Sequence, residues 1–478
     1  MKNKITKGLA ISTLEGVLMQ VINLILQLFL ARLLLPEDYG VVAILTTFIN
    51  IANTFVNNGL ATALLQRKNA KQVDFCTVFY VSIFIACIMY VIIWYLAPYV
   101  AIIYQNEFYV MYLRIFSISV VIGAFSSMLL VYAKYSLNFM PGMISSVGGV
   151  FAQALVGIIL ALLGKGVWAL IFSQLAYHTV RFIILLLLVS WRPTREFSVQ
   201  SLKEFFSYSW QLFLAWMIGT VYQDIFSWIV GLRFNAETLG HYSKGNSIPS
   251  MVNKVATQVI STVMFPSIAK NQDDPDIVKL QTRQMLAVTS AIIFPIMAGV
   301  AGVATEFVTL VLTEKWLPSV MVIQLMSISL GINVVNNANM QSYNAVGRAD
   351  VFLKVEIFKR MVLVIAVLIS SGINFHLMLI SIAIVAAVLL LVNIFINKKI
   401  LGITVKESFI DIVPYLVCAV GLYVILNVVS NWKLNVVLSF IIKMIICVTL
   451  FISAIIFKIL PAYKSIYISI KSMLQKQP

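Results

Sequence analysis

The sequence predicts an all-α protein that threads a membrane about fourteen times. Three observations lead there. Of 478 residues, 61% are hydrophobic and only 11% charged, where soluble domains average roughly 25% charged. Apolar runs of about 20 residues recur along the whole chain, each long enough to cross a hydrocarbon core of roughly 30 Å. The polar segments between them are short. Backbone groups find no water in lipid, so such runs are expected to be helices.

Taken in order, the expected spans are 12–34, 39–63, 75–97, 110–133, 142–163, 167–189, 207–232, 238–264, 286–312, 319–343, 355–373, 376–397, 410–429 and 434–457. The first follows a basic start that resembles a leader. Its apolar run is too long for one and contains Glu15, Gln20, Asn23 and Gln27, so it reads as an uncleaved span. With the N-terminus inside, 24 of the 34 Lys and Arg fall on the cytoplasmic side. Six fall outside: Arg32, Arg114, Lys165, Arg233, Lys315 and Lys433. Arg181, Lys244, Lys254 and Lys443 lie within spans. The asymmetry places both termini in the cytoplasm. It also explains the net charge of +16 without nucleic acid, and gives the protein a surface that favours anionic membrane lipids.

The chemistry classes narrow quickly. Cys76, Cys87, Cys418 and Cys447 lie in or beside apolar runs, with no C-x-x-C and no His-rich cluster. Disulfide and metal sites are therefore not expected. No P-loop or Ser/His/Asp arrangement is present. The acidic DDPD (273–276) is cytoplasmic, and every outer loop is short, which argues against a membrane glycosyltransferase or polymerase. A transporter is expected, not an enzyme.

An internal repeat adds organisation. LLLPEDYG (33–40) and RFNAETLG (233–240) are 200 residues apart, so Glu37 falls on Glu237 and Gly40 on Gly240. In the same register Asn50 meets Ser250, Asn53 meets Asn253 and Asn57 meets Thr257. Their i, i+3, i+7 spacing makes one polar stripe on each second helix. This predicts two six-helix lobes: 1–190, then a cytoplasmic linker at 191–206, then 207–400. A segment at 401–478 adds two helices and a basic tail. In such repeats the substrate site lies near the membrane midplane between the lobes. Each glutamate would sit at a helix start, where the dipole favours an anion. Each glycine would let that helix approach its neighbour, with a second role in closing an outer gate.

Ionisable groups inside spans cost of the order of a few kcal/mol unless paired or wet. Asp224 and Lys244 fall at similar depth on antiparallel spans. They could form a static pair, or Lys244 could face a cavity and exchange Asp224 for an anionic ligand. Lys254 lies ten residues on, rotated by about 280°, and is expected in a water-filled cavity. Arg181, one turn after His178, stays open between roles. Glu15 could carry a coupling proton or accept hydrogen bonds. Arg32 and Arg233 are near helix ends and can snorkel. The amide-rich INVVNNANMQSYNAVG of span ten serves either helix packing or sugar contacts. Trp210 and Trp228 read as interfacial belt residues, whereas Trp216 and Tyr222 are deep enough to stack on a sugar. Lysines, amides and aromatics together suit a phosphorylated, sugar-bearing substrate.

LARLLLPEDYG (30–40), NNGLATALLQRKN (57–69), AETLGHYSKGNSIP (236–249), MFPSIAKNQDDPD (264–276), EKWLPSV (314–320) and YNAVGRADVFLKVE (343–356) occur in order. They resemble the Wzx-type polysaccharide transporters of the multidrug/oligosaccharidyl-lipid/polysaccharide superfamily, closest to the colanic-acid and teichuronic-acid exporter branch. The resemblance implies fourteen helices in two lobes that alternate between inward- and outward-open states in a bacterial inner membrane. It implies an undecaprenyl-pyrophosphate-linked oligosaccharide as substrate and no cofactor beyond an H+ or Na+ gradient. Polysaccharide polymerase and chain-length machinery would be partners. On this reading Lys244 binds pyrophosphate with Lys254, while Asn53, Asn57 and Asn253 meet hydroxyls. Lys244 matches a position where the family tends to be basic; Lys254 falls in no family motif. A multidrug/ion antiporter and a peptidoglycan-precursor flippase of the same superfamily are the alternatives.

Overall fold

The computed structural model describes residues 2–57, 59–432 and 434–475, with Lys433 and Lys476 of the basic set outside them. Among these residues every regular element is helical. Internal packing divides the chain into two compact units, Met1–Gly240 and His241–Pro478.

The first unit contains α1 (Lys2–Leu33), α2 (Pro36–Asn57), α3 (Leu60–Gln66), α4 (Gln72–Ile103), α5 (Phe108–Phe116), α6 (Ile118–Tyr135), α7 (Met140–Leu162), α8 (Val167–Leu188) and α9 (Val199–Arg233). Helix starts follow local chemistry. Pro36 opens α2 with Glu37 and Asp38 in its first turn, where proline loses no needed donor and acids face the positive end of the dipole. Ser198 caps α9 by accepting from Ser201 N at 3.1 Å. One core of this unit collects Phe75, Phe79, Met128, Leu129, Leu185 and Trp191.

The expected linker at 191–206 is anchored. Trp191 Nε1 donates to Gln72 Oε1 at 2.8 Å, and Tyr80 Oη donates to Thr194 O at 3.0 Å. Its second half already belongs to α9. That helix, which the repeat places in the second lobe, packs on α2, α3 and α4 of the first unit. The reason is a matched set of side chains on α2 and α9. Asn50 Nδ2 donates to Asp224 at 3.2–3.3 Å, the Thr54 and Thr220 hydroxyls lie 2.9 Å apart, and Phe55 meets Phe213 at 4.9 Å.

Helix α10 (Ala236–Val259) crosses into the second unit. There follow a π-turn (Ile260–Met264), α11 (Phe265–Ala269), α12 (Pro275–Gly302), α13 (Ala304–Phe307), a second π-turn (Val308–Leu312), α14 (Ser319–Ala345), α15 (Ala349–Ser371), α16 (Phe375–Leu401), α17 (Val405–Ser430), α18 (Val436–Ile456) and α19 (Pro461–Gln475). Span nine is not the single run expected at 286–312. Asp274 Oδ1 accepts from the amides of Asp276 and Ile277, and Pro275 sets the first turn, so α12 begins in the acidic loop. It then breaks at Val303. The expected tail is also ordered at its start, because Ala462 N donates to Tyr415 Oη and Tyr463 Oη donates to Ala291 O.

Among the described residues, eleven helices are long and apolar enough to cross a membrane. Three expected spans fall outside that set. In α1 the apolar stretch is Leu18–Leu33. Helix α10 carries Glu237, Lys244 and Lys254, and α15 carries Asp350, Lys354, Glu356, Lys359 and Arg360. Too polar to be ringed by lipid, such helices need protein or water on part of their surface.

The asparagines of α14 split between packing and other uses. Asn336 donates to Ala386 O at 3.0 Å and accepts from Asn393 at 3.0 Å, while Asn397 donates to Asn339 at 2.6 Å. These pairs join α14 to α16, so for Asn336 and Asn339 helix packing is the role. Asn393 and Asn397 are one turn apart on α16, a spacing that is readable in the sequence.

Candidate functional site

In the first unit the polar stripe of α2 faces two neighbours. Asn50 and Thr54 engage α9 as described. Asn53 turns to the other side: a Cβ built on Gly123 of α6 would lie 3.9 Å from both Asn53 Oδ1 and His178 Nδ1. Helices α2 and α8 therefore converge on one glycine. One turn along α8, Arg181 donates to Tyr177 Oη at 3.3 Å, while its Nε is buried without a protein partner. Asn57 Oδ1 is likewise buried and unpartnered. An interior polar atom left unsatisfied costs about 1–3 kcal/mol, so a group that hydrogen-bonded either atom would recover that cost.

Asp224 accepts from Asn50, a contact that sequence reading missed because it joins helices 174 positions apart. Glu15 of α1 accepts from Ser146 of α7 at 2.7 Å. Trp228 is not free for a lipid-facing belt: its indole N–H donates to Thr47 Oγ1 and its ring lies 6.1 Å from Phe48. Trp216 is 56% exposed. Arg32 is exposed near the C-terminal end of α1, beside the turn into α2.

Glu37 and Glu237 are the second residues of α2 and α10, and both are exposed. Asn235 caps α10 by accepting from Thr238 N at 2.7 Å. The glycines do something the repeat alone did not reveal. A Cβ on Gly40 would collide with the carbonyl of Ala236, and one on Gly240 with the carbonyl of Pro36. Each glycine thus packs on the position four residues before its counterpart, and the first turns of α2 and α10 cross backbone to backbone.

In the second unit α10 runs beside α14. His241 bonds Ser319 at 3.1 Å, Gly245 packs on Val322 and the Ser319 carbonyl, and Asn337 donates to Thr257 at 3.2 Å. These contacts ascend together, so the two helices are parallel. One turn back from Thr257 and Asn337 lie Asn253 and Asn333, each with a buried Oδ1 that has no protein partner. Lys244 is buried on α10, 9% exposed, about 13 Å along the axis from Asn253. Lys254 is exposed on a different face, so the structure does not group it with Lys244. Pro249 lies within α10 between them, and the π-turn at Ile260–Met264 ends the helix. Proline withdraws an amide donor and π-bulges gather at functional sites. The seam is a proline-containing helix that ends in a π-turn and bears one buried lysine and several amides.

A family described as polysaccharide biosynthesis protein matches residues 29–321. The teichuronic acid biosynthesis protein TuaB of Bacillus subtilis is 25% identical over 63% of this chain and 62% of its own length. The lipopolysaccharide biosynthesis protein WzxC of Escherichia coli is 21% identical over 78% and 76%. The match thus spans less than two thirds of the first of these relatives. Among solved structures, the lipid II flippase MurJ in an inward closed conformation superposes with a TM-score of 0.70, at 14% identity, covering 92% of this chain and 99% of that one. An inward-facing multidrug resistance MATE family transporter gives 0.62 at 15% identity, over 80% and 95%. At these identities the likeness concerns the fold.

Proposed function

Because the chain belongs to the polysaccharide biosynthesis protein family, we propose that it is a flippase for lipid-linked oligosaccharides. It turns undecaprenyl-pyrophosphate-linked repeat units from the cytoplasmic to the outer leaflet of a bacterial inner membrane, with both of its termini in the cytoplasm. The units then feed surface polysaccharide assembly, with a polymerase and chain-length machinery as the next users. The relatives' names point to teichuronic acid and lipopolysaccharide biosynthesis, and the fold shared with MurJ and a MATE transporter supports alternating access.

One observation carries the reading: Lys244 is buried in a proline-containing helix whose later turns bear Asn253 and Thr257. A pyrophosphate brings about two negative charges, and moving them unaided through hydrocarbon is prohibitive. A buried ammonium offers a point charge to phosphate oxygens. Asn53, Asn57 and Asn253 supply amides for sugar hydroxyls, and Arg181 supplies a second cation. Asp224 and Glu15 are the carboxylates through which an H+ or Na+ gradient would drive the cycle.

In a host lacking its own copy, a Lys244→Ala chain present at wild-type level in the membrane is expected to lower surface polysaccharide at least about tenfold, the loss of one charge-assisted contact. Undiminished export would remove Lys244 from the site. The broader reading has its own check. Deleting the gene should make lipid-linked units accumulate on the cytoplasmic side, and normal surface polysaccharide without such accumulation would sink it.

A further inference from the structure

Nothing in translocation uses the pocket at the loop end of α4 and α5. Its volume is about 520 Å³ and its lining includes Tyr90, Trp94, Glu107, Phe108, Met111 and Arg114. The Arg114 guanidinium lies 4.1 Å from the centroid of the Trp94 ring. Its Nε is buried and has no hydrogen-bond partner. Among the described residues that cation–π contact is the guanidinium's one interaction.

Glu107 precedes Arg114 by seven residues, two turns along the same helix face. Both side chains line the pocket. The two form no ion pair among the described residues. The pocket therefore holds one cation and one carboxylate apart, walled by Tyr90, Trp94 and Phe108. Toward the membrane interior the apolar surface of α4 is open beside it, with Val91 49%, Ile88 41% and Phe84 66% exposed.

We propose that this pocket binds the headgroup of a zwitterionic aminophospholipid. The phosphate sits on Arg114 and the ammonium lies against Glu107 and the aromatic faces. The acyl chains run down the exposed side of α4. An anionic phospholipid fits less well: its phosphate satisfies Arg114 but leaves the Glu107 carboxylate facing negative charge. A choline headgroup matches the charges but cannot donate hydrogen bonds to Glu107.

Native mass spectrometry of the full chain tests this, after exchange into micelles with equal phosphatidylethanolamine, phosphatidylglycerol and phosphatidylcholine. The wild type is expected to retain one phosphatidylethanolamine about tenfold above either other lipid, the weight of one charge-assisted contact. Arg114→Gln should remove that retention. Glu107→Gln, at an exposed position that leaves folding unaffected, should erase the preference over phosphatidylglycerol. Equal retention of the three lipids by the wild type, or wild-type selectivity in both variants, overturns the proposal.

Discussion

A Gly40→Ala chain should lose thermal stability and fall at least about tenfold in export, and Gly240→Ala should behave alike. In an ordinary helix the same change stabilises by roughly 0.5–1 kcal/mol. Here the new methyl meets a backbone carbonyl, that of Ala236 for Gly40 and that of Pro36 for Gly240. No rotamer change relieves that overlap, so the two first turns must separate. Overpacking of this kind costs typically about 1–3 kcal/mol, enough to reverse the sign. Gly219 of α9 has open space around the corresponding Cβ, so Gly219→Ala is the control expected to be neutral or better. Melting in detergent and surface polysaccharide are the readouts. If Gly40→Ala melts and exports like Gly219→Ala, the crossing is not a tight contact.

Lys443→Met should destabilise by about 3–5 kcal/mol, the range for breaking a buried ion pair from one side. Lys443 is 1% exposed and its ammonium lies 2.6 Å from Glu306 Oε1. It also donates to Ser430 Oγ at 2.7 Å and to the Gly302 carbonyl at 2.9 Å. That carbonyl ends α12, so the lysine serves as a cation at a helix C-terminus where the dipole welcomes it. Ser439 completes the group by donating to Glu306 at 2.9 Å. The methionine leaves Glu306 charged and buried. The double variant Lys443→Met/Glu306→Gln removes both charges and should recover most of the loss. A double variant as unstable as the single one would contradict the pairing.

Much of this was legible because lipid imposes strong local rules. A backbone that must satisfy itself forms helices, so span positions followed from apolar run length. Helix starts were less legible: the spans expected from 207 and 286 belong to helices that begin at Val199 and Pro275, where Ser198 and Asp274 supply the caps. The repeat was visible in Glu37/Glu237 and Gly40/Gly240. Legibility ended where a side chain's role depends on a distant helix. Asn50 and Asn53 sit three residues apart in one stripe, yet Asn50 holds Asp224 while Asn53 converges with His178 on Gly123. Asn336 and Asn337 are adjacent, yet one packs on α16 and the other meets Thr257. Lys443 pairs with Glu306, 137 positions away in a broken span.

Composition, period and charge asymmetry by themselves determined that this chain is helical and membrane-spanning, and the ordered motifs identified its family. Those properties are set within one or two turns of chain and by the solvent around it. Only the tertiary structure decided which glycine meets which carbonyl, which asparagine is glue, and that Lys244 and Lys254 occupy different environments on one helix. Such outcomes depend on separations of a few ångströms between segments far apart in sequence. Periodicity says which face a residue occupies, and not what that face meets.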